Sequence, residues 1–180
     1  NAPEVLEQRV MLDGWATLTI GDDVLFSVPT HATMVLADNE TLGVLYKGEN
    51  PGEILFGQHD ANTLEKLQAI SVPGVVVGPA HIEGDDEGNF VMQAVLTADG
   101  SPRLVIIESD GDVDIMPLPA GASWRLAGHG VIGVWTNSPA GVVFEAFDLD
   151  ANSLGTVVLG GRSLAGGLDE RDADNNGNFL

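Results

Sequence analysis

The residues whose types and spacing best suit chemistry are Asp172, Asp174 and Asn176, followed by Gly177. Oxygen side chains on three alternate residues, with glycine in the sixth place for a sharp turn, match the opening of a calcium loop, because a hard divalent cation takes carboxylate and amide oxygens. Asn178 is a further oxygen donor in the same stretch. Glu83, Asp85 and Glu87, followed by Gly88, repeat the pattern with an acidic group in each of the three places. These seven residues are the candidate metal ligands, and Ca2+ is the cofactor they imply. The competing reading is structural: Asp and Asn favour turns because their side chains hydrogen-bond nearby backbone.

Other reactive constellations are weaker. His31, His59, His81 and His129 are spread along the chain, and only His81-x-Glu83 would set two ligands on one face of a strand. Ordinary hydrogen bonding explains that pair equally well. Cysteine is absent, which excludes disulfides, thiol nucleophiles and Cys-based zinc sites. No Gly-x-Ser-x-Gly elbow precedes a helix. Asp22-Asp23 and Asp85-Asp86 fall in turn-like contexts, and Gly160-Gly161 follows strand residues and opens no helix, so it does not read as a phosphate loop. Trp124 and Trp135 could stack a sugar, but filling an apolar interface is the plainer role for large aromatics. No catalytic set emerges, and the expectation is a protein that is not an enzyme.

The elements that must position these residues follow from composition and period. Among 180 residues there are 23 glycines, 27 acidic and 7 basic residues, giving a net charge of −20. Nucleic acid and anionic lipid both need clustered Lys and Arg, so neither is an expected partner. No apolar run approaches the roughly 18 residues that would cross a bilayer as a helix. Apolar segments are short and bounded by Gly, Asp, Asn and Pro, the mark of strands and hairpins. Asp99-Gly100 and Asp110-Gly111 read as hairpin turns in which both residues tolerate positive φ. The first residue, Asn1 rather than Met, suggests processing, such as removal of a signal peptide, and a fragment of a longer chain would look the same.

Stretches of the chain also match one another. Gly43-Val44 recurs as Gly133-Val134, and Asp60-Ala61-Asn62-Thr63-Leu64 as Asp150-Ala151-Asn152-Ser153-Leu154, both at an offset of 90. Gly88-Asn89-Phe90-Val91 recurs as Gly177-Asn178-Phe179-Leu180 at 89. Pro29, Pro73 and Pro119 punctuate the chain at half that interval. Four short strands per unit of about 45 residues make one blade of a β-propeller. The expected fold is therefore all-β, an antiparallel propeller segment. It divides into a partial blade at 1–29, blades at 30–74, 75–120 and 121–165, and a partial blade at 166–180. The partial blades at both ends favour a piece of a larger propeller over a closed four-bladed ring.

The stretch Gly130–Trp135 followed by Val142–Gly155 resembles the repeat of bacterial secreted β-propeller proteins, in which a GNFVVVW strand precedes a VFAQRFDADGNPLG hairpin. Residues 172–180 resemble the start of another such repeat, and their turn is similar to the calcium loops of FG-GAP propellers. The resemblance implies an extracellular, periplasmic or cell-envelope location and a binding or scaffold role beside other protein subunits. It transfers no catalytic residues. Two other readings stay open: a propeller that binds a glycan, and a propeller hydrolase or lyase with an axial site.

Overall fold

A computed structural model describes residues 7–12, 15–20, 23–29, 33–47, 52–160, 174 and 176–179. Fifteen strands among them form four antiparallel sheets, each an up-and-down meander in chain order. The N-terminal sheet has three strands, β1 (Glu7–Leu12), β2 (Trp15–Ile20) and β3 (Asp23–Pro29). Sheet I holds β4 (Thr33–Leu36), β5 (Thr41–Lys47), β6 (Glu53–Asp60) and β7 (Lys66–Pro73). Sheet II holds β8 (Val75–Gly84), β9 (Phe90–Leu96), β10 (Pro102–Ile107) and β11 (Val113–Pro117). Sheet III holds β12 (Ser123–Ala127), β13 (Val131–Ser138), β14 (Gly141–Phe147) and β15 (Ser153–Gly160). The blade-like form expected from the short apolar segments is present in three four-stranded sheets. Leu64–Ala69, which could read as a helical turn on its own, lies across the β6–β7 turn and the start of β7.

The hairpin turns use their residues differently from the expectation. Gly100 and Gly111 have φ of +72° and +99°, but the aspartates before them do not enter that region. Asp99 and Asp110 instead accept the backbone N–H of Ser101 and Asp112. The loops are also longer than two residues. Leu96 and Ser101 bracket a four-residue turn, and Glu108 and Asp112 a three-residue one. Asp is chosen here for its side-chain acceptor, and Gly alone supplies the left-handed backbone.

β8 carries an interruption that its sequence explains. Its register against β9 slips between Val77 and Ile82, where five steps of β8 face two of β9. Pro79 lies in that interval and has no N–H to give the ladder. The slip places His81 at the end of the bulged stretch, next to sheet III.

Two cores lie between the sheets. Phe56 and Ile54 of sheet I join Phe90, Met92, Val105 and Ile107 of sheet II in the first. Val91, Leu104 and Ile106 of sheet II join Trp124, Ile132 and Val134 of sheet III in the second. The first core depends on a size match. A methyl group on Gly43 would lie 2.7 Å from Phe90 Cε1 and 2.8 Å from Phe56 Cζ. The absence of a side chain at Gly43 is what lets the Phe90 ring sit 5.1 Å from that of Phe56. The same arrangement recurs on sheet III, where Phe179 lies over Gly133, 5.2 Å from Phe144 and 5.5 Å from Trp135.

Matching backbone hydrogen bonds at the turns fix which residues correspond. Ala37 N–H bonds Thr41 O, Asp85 N–H bonds Asn89 O, and Asp174 N–H bonds Asn178 O. Leu42, Phe90 and Phe179 therefore hold one position, and Gly43 and Val91 the next. Between sheets II and III the pair changes: Ile132 stands where Phe stands elsewhere, and Val91 where Gly does, both fully buried in the second core. Phe-on-Gly alternates with Ile-on-Val, which is why the sequence repeats every two sheets rather than every one.

Gly43→Ala should destabilise the protein by about 1–3 kcal/mol through overpacking. Phe90→Ala should cost about 3–5 kcal/mol through the cavity it leaves. Combining Gly43→Ala with Phe90→Leu should recover part of the first loss, because the smaller side chain frees the space that the methyl needs. Urea unfolding of these variants and of Phe90→Leu alone measures this; strict additivity of Gly43→Ala and Phe90→Leu would count against the size match.

Candidate functional site

The acidic run from Glu83 to Glu87 spans the end of β8 and the turn to β9, at the seam between sheets II and III. Asp85 is buried and accepts four hydrogen bonds. Its Oδ1 takes the N–H of Glu87 and of Asn89, both at 2.9 Å, and its Oδ2 takes Asn89 Nδ2 at 2.8 Å. The fourth comes from the neighbouring sheet, Gly130 N–H at 3.1 Å. The remaining acids also reach sheet III. Glu83 Oε2 accepts Leu126 N–H, and its Oε1 lies 3.3 Å from Arg125 Nη1 and 2.8 Å from His81 Nε2. Asp86 accepts the N–H of His129 at 2.9 Å, while Glu87 faces the His129 ring at 3.3 Å. Each candidate ligand in this run thus meets a different protein donor, and together they form a joint. His81 and Glu83 do share a face, as the spacing suggested, with the His81 ring edge-on to Trp124 at 4.7 Å.

The later acidic turn is built the same way. Asp174 accepts the N–H of Asn176 and Asn178, each at 2.9 Å, and the Asn178 side chain. The side-chain bond from Asn178, with the turn N–H groups, holds the Asp174 carboxyl below its ordinary range. Its backbone oxygen takes Gly128 N–H at 2.9 Å, as Asp85 O takes Asp38 N–H between sheets I and II. Asp172, and the end strands proposed beyond Gly160, fall outside the described residues.

The Asp60–Leu64 and Asp150–Leu154 turns are alike in letters but not in register. Gly43 pairs with Gln58 and Gly133 with Ala146, so the offset shrinks from 90 to 88 at the third strand. Asp60 therefore corresponds to Asp148, not to Asp150. Function agrees: Asp60 accepts the N–H groups of Asn62 and Thr63, and Asp148 that of Asn152. Asp150 is released from that duty.

Asp150 instead completes a group that the linear sequence concealed. Glu108 at the end of β10, Asp114 on β11 and Asp150 in the β14–β15 turn bring carboxylate oxygens within 4.8 Å of one another. Among the described residues this is the one such cluster of three, and it joins sheets II and III at a second point. Burial, then the charges of Asp110, Asp150, Asp112 and Asp114, push the Glu108 carboxyl above its ordinary range. Three oxygen donors of this type can chelate a hard divalent ion such as Ca2+. The signal in the sequence was only the acidic run Asp110, Asp112, Asp114; the contribution of Asp150 depends on how sheet III docks.

Trp124 and Trp135 are both buried, on opposite faces of sheet III. Trp124 fills the core shared with sheet II, and Trp135 stacks against Phe144 and Phe179. Neither ring is presented as a sugar platform.

Two measurements test this account. Ca2+ at a hundredfold excess over its Kd should stabilise the protein by about 2.7 kcal/mol. Glu108→Gln should abolish that gain while leaving the ion-free protein at least as stable, since it removes a crowded charge. Calcium stabilisation that survives Glu108→Gln would place the ion elsewhere. The second concerns His129, whose pKa the hydrogen bond to Glu87 and the charge of Asp86 raise above 6.5. The contribution of this contact is present below the unfolded value and fades as pH rises through the higher folded one. An NMR titration should show the ring titrating above 6.5, and Glu87→Gln should return it towards that value.

Compared with models of protein families, with curated proteins and with solved structures, the chain matches none.

Proposed function

We propose that the chain is a segment of a β-propeller and serves as a non-catalytic binding or scaffold module within a larger protein assembly outside the cytoplasm. The observation that carries this reading is the unequal covering of equivalent faces. On sheet I, Ile54, Phe56, Ile70 and Val72 form one face, packed by sheet II, and Val72 is 2% exposed. The corresponding residues of sheet III are Val142, Phe144, Val157 and Leu159. There Phe179 has taken its seat over Gly133, but Val157 is 53% and Leu159 41% exposed. A face of this shape and chemistry calls for another sheet of the same kind, because a single twisted sheet cannot bury its own apolar side.

The resemblance to secreted propeller repeats supports the location.

The test is the mass and state of the native protein. It should be recovered as a polypeptide heavier than 18.8 kDa, or bound tightly to another subunit. In that state it should bind little of a dye that reports exposed apolar surface, whereas the 180-residue chain alone should bind it strongly. A native monomer of 18.8 kDa that binds the dye would overturn the proposal.

A further inference from the structure

The outer edge of sheet III differs from the outer edges of the other sheets. Among the described residues, β15 is the last strand in its sheet and pairs on one side only, with β14. Edge strands carry unpaired N–H and C=O groups, and proteins usually protect them with charge and proline. The sister edges do so: β3 contains Asp23 and Pro29, β7 contains Lys66 and Pro73, and β11 contains Asp114 and Pro117. β15 reads Ser-Leu-Gly-Thr-Val-Val-Leu-Gly, with no charge and no proline, and all eight residues are exposed. Leu154, Val157, Val158 and Leu159 supply apolar side chains to both of its faces.

The surroundings select a partner. The chain carries a net charge of −20. Asp150, in the turn that leads into β15, meets Glu108 and Asp114 of sheet II, so the turn before Ser153 carries a concentrated negative patch. A second copy of this chain would bring the same charge to the contact. An extended segment with alternating apolar residues and basic flanks would gain backbone pairing along about 26 Å of strand and Coulomb attraction at its end.

We propose that β15 is a strand-addition site for an extended, basic-flanked peptide segment of a partner protein. The peptide adds a fifth strand to sheet III, with its Lys or Arg beside Asp150. This deepens the binding-module reading, on which it rests, by naming the class of partner.

The probe is a fluorescent nine-residue peptide of alternating valine and threonine with lysine at both ends, titrated by polarisation at low salt. It should bind saturably. Replacing its lysines with glutamate should weaken binding by about tenfold or more, and N-methylation of its central amides should abolish it. Val158→Lys in the protein, which restores the charge that sister edges carry, should weaken binding by roughly tenfold. Asp150→Asn should weaken it by roughly threefold. Urea midpoints confirm that both variants fold. Three results overturn the proposal: no binding, equal binding of the N-methylated or glutamate peptides, or self-association of the free protein that Val158→Lys removes, which would make the occupant a second copy. Failure here together with a large native mass would leave the module reading standing.

Discussion

The structure depends on one steric fit: an aromatic ring at the head of a sheet's second strand lying against a bare glycine of the sheet before it. Phe90 on Gly43 brings sheets I and II close enough for Phe56, Ile54, Met92 and Val105 to form a single dry core. The backbone around the contact depends on it in turn. With the sheets at that separation, Gln58 is buried against the Gly88 and Glu108 carbonyls, and Asp38 meets Asp85. Burial of these polar groups is tolerable only because each finds a partner.

The acidic turns act at the same seams. A carboxylate that closes its own turn, as Asp85 does, fixes the neighbouring acids in one arc facing sheet III. Their targets are backbone N–H groups on an exposed strand edge and a short turn, donors that would otherwise need water. A concentration of negative charge that would be unfavourable in isolation is thus neutralised locally by Arg125, His129 and oriented amides. Among the described residues, the triad of Glu108, Asp114 and Asp150 has no such donors, and burial beside other carboxylates raises the Glu108 carboxyl.

Much of the fold was legible because it is written locally. Strand boundaries follow alternation and turn residues, as at Ser123–Ala127, which lies between Gly121 and Gly128. Proline and glycine mark the ends of units. The partners of side chains were not legible. Asp85 in a calcium-like spacing and Asp85 closing its own turn are the same string of letters, and the bond from Gly130 N–H of sheet III is not in that string. The Asp150 correspondence failed for a related reason. Letters matched at an offset of 90, while the ladder had already lost two residues in the preceding hairpin, so the similar side chains ended up in different roles.

The alternation of large-on-small with medium-on-medium contacts constrains how such a chain can change in length. Removing one sheet would set Ile132 over Gly43 and leave a void, or Phe179 over Val91 and force a clash. Adding one sheet would create the same mismatch elsewhere. Only whole pairs can be gained or lost without a defect at the seam, so the heritable unit of this architecture is the doublet, and lineages descended from it should differ by even numbers of sheets.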